Sequence, residues 1–235
     1  MPTRRRFLQA LPAAGALLAV PGRAAWAAVP VMTKKSQSET TPDQALASLE
    51  SGNERFVSGK LLERDLMAQV RATASGQFPF ASVLGCIDSR VPPELVFDQG
   101  IGDIFSPRIA GNFANTDIIG SLEFTTKLAG AKLIVVLGHT ECGAIMGACD
   151  GAQLGNLTHT LSNLAPAVYA AKGIPGDQSS KNAAFVSEVT RQNVRLTVQA
   201  LTDRSSVLAG LVEAGNLRVV GAMHDVGTGR VSFLD

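Results

Sequence analysis

The apolar positions of this chain change their spacing several times. From Thr41 the period is helical: Thr41 stands as an N-cap, Pro42 suits the first helical position, and Leu46, Leu49 and Phe56 share one face. A second helical pattern covers about 61 to 74. Then the period vanishes. Residues 81 to 86 are an almost unbroken apolar run, the pattern of a strand buried on both faces as in parallel sheets. Ile104 to Ile109, 132 to 138 and Leu217 to Met223 are the other predicted strands. Helical stretches at 116–130, 142–149, 159–171, 181–203 and 205–214 fall between them. Strand and helix alternating in this way predict an α/β fold, an open and mostly parallel β-sheet flanked by helices and joined by right-handed crossovers. Chemistry in such sheets gathers at the carboxyl ends of the strands.

Two short polar motifs stand at those ends. Val83-Leu84-Gly85 runs into Cys86-Ile87-Asp88-Ser89-Arg90, and Leu133 to Gly138 runs into His139-Thr140-Glu141-Cys142-Gly143. A single buried cysteine is ordinarily a small hydrophobe. Two of them, with an imidazole and a carboxylate at the ends of two buried strands, form a metal-ligand set. Two soft sulfurs and one nitrogen suit Zn²⁺, and three protein donors with a fourth position exchangeable is the catalytic arrangement. Zinc with two thiolates and a neutral imidazole has a formal charge near zero, so it acidifies water less than a three-histidine zinc does. Asp88 and Arg90 are the groups placed to help it. Cys149 lies two helical turns beyond Cys142 with no matching partner and is expected to be a buried thiol. His159 is expected in a loop or at a helix start, and His224 is expected to pack.

The chain has 235 residues, 46% of them hydrophobic, enough for one substantial core and one domain. A net charge of +1 leaves no basic footprint for nucleic acid. Three cysteines are too few and too odd in number for a disulfide scaffold. The first residues differ in kind. Arg4-Arg5-Arg6-Phe7-Leu8 precedes a mild apolar run from Leu11 to Val20, followed by the small-x-small sequence Ala25-Trp26-Ala27. That run is too short to span a bilayer, and the layout is that of a cleaved export signal over residues 1–27, the arginine pair resembling the twin-arginine type. Cleavage removes four arginines and no acid, taking the net charge from +1 to −3. Residues 28–40, with Lys34-Lys35-Ser36-Gln37-Ser38, are expected to be a polar linker, and residues 41–235 the catalytic domain. The predicted location is periplasmic, with no membrane contact after cleavage. Export of a folded chain also explains how thiolate ligands could be loaded with metal before meeting an oxidising compartment.

The paired motifs resemble those of the β-class carbonic anhydrases. Cys86-x-Asp88-Ser89-Arg90 and His139-x-x-Cys142-Gly143 look like that family's zinc motifs, and the similarity extends over roughly residues 41 to 235. It includes Ala45-Leu46-x-x-Leu49-x-x-Gly52-Asn53-x-Arg55-Phe56, Pro93 to Asp98, Arg108-Ile109-Ala110-Gly111-Asn112, Ser121 to Phe124, and Gly221-Ala222-x-x-Asp225-x-x-Thr228-Gly229. The resemblance implies one Zn²⁺ per chain held by Cys86, His139 and Cys142, with CO₂ and bicarbonate as the small-molecule substrates. It implies that Asp88, held by Arg90, accepts a hydrogen bond from a zinc-bound hydroxide; in some members this aspartate takes the fourth zinc position at low pH. Gln77 matches a substrate-binding glutamine of the plant-type subgroup. Phe105 and Phe124 match an apolar CO₂ pocket wall, and Gly143 belongs to the second motif beside the substrate. An N-terminal helical arm embracing a neighbour, in a homodimer or homotetramer, is implied as well. Val83 stands where the bacterial allosteric subgroup has tryptophan, so regulation by bicarbonate beside Arg108 is not expected. Two rival functions share these residues: hydrolysis of CS₂ or COS on the same site, and non-catalytic zinc binding or thiol redox chemistry. The second leaves Asp88 and Arg90 without purpose, and no Cys-x-x-Cys occurs.

Overall fold

The computed structural model describes residues 29–234; the predicted signal at 1–27 lies outside them. Five strands form one sheet in the order β2-β1-β3-β4-β5. These are β1 (Ala81–Gly85), β2 (Ile104–Phe105), β3 (Leu133–His139), β4 (Arg218–His224) and β5 (Val231–Leu234). β1 pairs in parallel with β2 and β3, and β3 with β4, while β5 returns antiparallel along β4. Every residue of β1 and β3 is buried, because helices cover both faces. One face packs Val83, Val135 and Leu137 against Ala45, Leu49 and Phe97. The other packs Leu84, Ile134 and Val136 against Leu122, Val194, Leu201 and Leu208. The alternation along β3 follows from its period of two, which sends neighbouring side chains to opposite faces.

The helices are α1 (Lys34–Glu39), α2 (Pro42–Val57), α3 (Leu66–Thr73), α4 (Pro93–Val96), α5 (Thr116–Glu123), α6 (Gly143–Cys149), α7 (Gly155–Ser162), α8 (Ala165–Ala170), α9 (Ala183–Asp203) and α10 (Ser206–Glu213). α2 begins with the expected Thr41 cap, closed into a capping box by Gln44. None of the helices described is long and apolar enough to cross a membrane.

Four expectations need correction. The segment 28–40 is not simply a linker: Thr33 and Ser36 cap α1, and buried Gln37 donates to the carbonyls of Pro79 at 2.7 Å and Ala129 at 2.8 Å. The strand expected over Ile104 to Ile109 keeps only two residues. Pro107 has no N–H to continue the ladder, and Arg108 rejoins the sheet as a single bridge to Gly85. The helix expected over 116–130 loosens into a π-helical turn at Phe124–Leu128, and that over 159–171 breaks at Leu164, because Pro166 cannot donate back to the preceding turn. β5 was not anticipated. Its alternating Val231-Ser232-Phe233-Leu234 is the only sequence sign of it.

Candidate metal centre

β1 ends at Gly85, which delivers Cys86 to the carboxyl edge of the sheet; Gly85 pairs with Leu137, and β3 ends two residues further on, at His139. Cys142 follows as the N-cap of α6, so the two motifs converge from adjacent parallel strands. The ligand atoms of Cys86, His139 and Cys142 all lie within 4.8 Å of one another, and all three residues are buried, at 3%, 0% and 1% exposure. His139 Nδ1 lies 2.8 Å from the carbonyl oxygen of Thr140. A carbonyl only accepts, so Nδ1 carries the proton and Nε2 is left with its lone pair. Nε2 is buried and has no hydrogen-bond partner. Such an atom is costly unless something binds it.

The thiols tell the same story through charge. Their sulfurs are 3.9 Å apart. The hydrogen bond from Cys142 draws the Cys86 thiol down toward the thiolate against the pull of burial, helped by His139 and the Gly111 N–H. That same shared hydrogen bond, with burial, pushes Cys142 up. Both cannot ionise together unless a cation sits between them. An orphaned imidazole nitrogen and two thiols in conflict over one charge fit a divalent, thiophilic metal, and zinc above others.

Asp88 lies beside this trio and outside it. Its Oδ1 accepts from Arg90 Nε at 3.0 Å and from the Arg90 N–H at 2.9 Å, and its Oδ2 accepts from Arg90 Nη2 at 2.8 Å. Arg90 Nη2 also donates to the Glu141 carbonyl at 2.9 Å, so the first motif is fastened to the second. The Arg90 hydrogen bonds hold the Asp88 carboxyl well below the usual carboxylate range. Arg108 donates to the carbonyls of Cys86 at 2.7 Å and Asp88 at 2.6 Å and fixes the loop between them. The Gly111 N–H points at the Cys86 sulfur from 3.3 Å. Neither Arg108 nor Gly111 was foreseen as a support of the metal loop, although both belong to the Arg108–Asn112 motif.

Gly143 opens α6 with free space where a Cβ would project, so the region beside Cys142 stays uncrowded. The other expected substrate contacts are elsewhere in the chain. Gln77 is exposed in the coil ahead of β1, on the amino side of the sheet. Phe105 pairs with Ser82, about 13 Å short of Cys86 along the strand. Phe105 and Phe124 meet edge to face at 6.5 Å in an open bowl of about 730 Å³, whose lining includes none of the metal-centre residues. Cys149 is half-buried and its thiol is pushed up to about 11 by burial, as a bystander's would be. His159, expected in a loop or at a helix start, lies instead in the last turn of α7. His224 is buried as expected, but neither ring nitrogen has a partner, which plain packing does not explain.

A buried pair of cysteines and a histidine at the carboxyl edge of a parallel α/β sheet, with an arginine-held carboxylate alongside, belongs to the class of Cys₂His sites that could hold a metal. Within that class the match is specific. The carbonic anhydrase family model covers residues 81–231, and the chain belongs to this family. It is 36% identical over 202 residues to carbonic anhydrase 2 of Mycobacterium tuberculosis, covering 83% of this chain and 94% of that protein. To the carbonic anhydrase of Mycolicibacterium smegmatis it is 34% identical, with the same coverage of 83% and 94%. Among solved structures, the β-carbonic anhydrase CafA of Aspergillus fumigatus superimposes with a TM-score of 0.62 at 27% identity, covering 82% of this chain and 90% of that one. One of two tetrameric β-carbonic anhydrases from Sordaria macrospora gives 0.60 at 27% identity, over 72% of this chain and 90% of that one.

Proposed function

We propose that this chain is a zinc-dependent carbonate dehydratase of the β class, interconverting CO₂ and bicarbonate with release of a proton. The observation that carries the reading is the buried trio Cys86, His139 and Cys142 with Asp88 fastened beside it by Arg90. Zinc held by the trio would supply a Lewis acid that makes a water nucleophilic near neutral pH. The rest is done by the chain. Asp88, kept ionised by Arg90, acts only as an acceptor: it takes a hydrogen bond from the attacking water and leaves that water's lone pair free for the substrate carbon. Arg90 ties this carboxylate to the Glu141 carbonyl, so acceptor and metal loop keep one geometry. Arg108 and the Gly111 N–H hold the Cys86 loop.

The reading extends to assembly and location. Gln77, Phe105 and Phe124 stand too far along the sheet to line their own metal centre, so a second copy would have to bring them to it. A homodimer or homotetramer follows, and the tetrameric relatives are consistent with it. The arginine pair and Ala25-Trp26-Ala27 support export to the periplasm by the twin-arginine route, cleavage leaving Ala28 first.

The test is zinc analysis of the mature protein with a CO₂ hydration assay, run alongside COS hydrolysis on the same preparation. One zinc per chain with CO₂ turnover dominant is the expected result. Full zinc with COS turnover alone would replace the substrate and keep the site.

A further inference from the structure

We infer that Thr140, which takes no part in ligation, is the positioning residue that selects the metal-binding tautomer of His139. The inference rests on the metal reading above and concerns how the ligand is prepared. Three hydrogen bonds meet at this residue. Its carbonyl accepts from His139 Nδ1 at 2.8 Å, its N–H donates to the His224 carbonyl at 2.9 Å, and its hydroxyl oxygen accepts from the Val226 N–H at 3.0 Å. The last two bonds come from the end of β4 and the residues just beyond it. His139 is therefore aimed by a clamp that reaches across the sheet.

The clamp is needed because the backbone there is not at rest. Glu141 holds φ at +55°, the left-handed region that side-chain-bearing residues enter only when their surroundings demand it. The peptide plane between Thr140 and Glu141 carries the carbonyl that receives the His139 proton, and the Glu141 φ angle sets one side of that plane. If the plane turned, Nδ1 would lose its acceptor and the proton could sit on Nε2 instead. Nε2 is the buried nitrogen left without a partner, and a proton there must be removed before it can ligate a metal. Arg90 Nη2 secures the far side of the same turn through the Glu141 carbonyl. The Thr140 hydroxyl secures the near side. Partners one layer behind a metal ligand typically govern affinity by about 10- to 100-fold, and this hydroxyl, one bond further back, belongs at the lower end.

The test compares Thr140→Val, which keeps the shape and removes the acceptor, with Thr140→Ser, which restores it. Zinc affinity is measured by competition with a chromophoric chelator, the ligand field by cobalt(II) absorption, and folding by thermal melting of the metal-free protein. Thr140→Val should bind zinc about tenfold more weakly with an altered cobalt spectrum, and Thr140→Ser should return both to within about twofold of the wild type. A Thr140→Val protein whose metal-free melting temperature drops while zinc affinity and cobalt spectrum stay unchanged would overturn the inference, since the hydroxyl would then serve the fold alone. If the wild type itself bound neither zinc nor cobalt, the metal reading would fail first, and this inference with it.

Discussion

Two aspartates in this molecule are each gripped by arginine, and they are put to different ends. Asp98, with a side chain 2% exposed, is closed on every side: Arg55 Nε and the Leu62 N–H donate to Oδ2, Arg64 Nη1 donates to Oδ1, and Arg64 Nη2 takes up its backbone carbonyl. Asp88 is 17% exposed and has one arginine, and its Oδ2 accepts a single hydrogen bond. The first carboxylate accepts three hydrogen bonds, as the second does, but at 2% exposure no ligand can reach it. The second is 17% exposed and sits in the first of the two metal-ligand motifs, tied to the second through Arg90. An arginine–carboxylate pair thus differs in role according to what can still reach it after the pair has formed. Asp98 locks α2 and the following loop to the turn after α4, and Asp88 is left, on the proposed reading, to accept from a water.

That contrast can be broken in several places. The largest effect is expected at the ligands: Cys86→Ser or Cys142→Ser should abolish stoichiometric zinc and destabilise the fold, since metal binding and folding share one free energy. Cys149→Ser should keep one zinc per chain by elemental analysis. Full zinc occupancy in the Cys142 variant would remove the ligand assignment.

Next comes Asp98→Asn, which leaves two arginines without their carboxylate. Breaking such a pair costs about 3 kcal/mol, the lower end applying because Arg55 is 27% exposed. The variant should melt well below the wild type while the fraction still folded turns over CO₂ normally. The pH dependence has a definite sign. Burial works against ionisation of Asp98, but the two arginines prevail and hold its carboxyl below the ordinary range. Its contribution to stability is therefore present above the unfolded value of about 4 and is lost as pH falls through the lower folded value. Denaturation curves below pH 4 should fall more steeply for the wild type than for Asp98→Asn. Parallel curves would mean that the cage adds no ionic stability.

A further prediction concerns activity against pH. Two thiolates and a neutral imidazole give a zinc site of near-zero formal charge, so water is acidified less than at a three-histidine zinc, where the value is about 7. Hydration should be slow near pH 6.5 and climb toward pH 9. Asp88 is held ionised throughout this range, so its own protonation does not produce the rise. A profile flat from pH 6 to 9 in non-coordinating buffer would refute the charge argument.

The candidate metal centre was legible because its parts lie next to each other in two short motifs, each behind an apolar run whose length marks a buried strand. Cys86 and His139 could be placed at strand ends with no knowledge of which strands pair. What escaped depends on contacts between distant residues. The clamp on Thr140 comes from Val226, 86 positions away, and uses a main-chain donor that every residue type except proline carries. α1 was hidden by polar composition, since a lysine- and serine-rich stretch gives no sign that Gln37 will be buried against two carbonyls. Phe105 and Phe124, expected on one pocket wall, do meet each other, yet their separation from the metal-ligand motifs shows only when the parallel register places Phe105 beside Ser82.

The central claim is that Asp88 differs from Asp98 in serving the reaction. It is tested most directly by measuring CO₂ hydration from pH 6 to 9 for the wild type and Asp88→Asn at matched zinc content. Asp88→Asn is expected to keep its zinc and its melting temperature and to lose at least about tenfold in rate, equivalent to roughly 1.4 kcal/mol of transition-state stabilisation. Equal rates at every pH with equal zinc would contradict the account and leave Asp88, like Asp98, a structural residue.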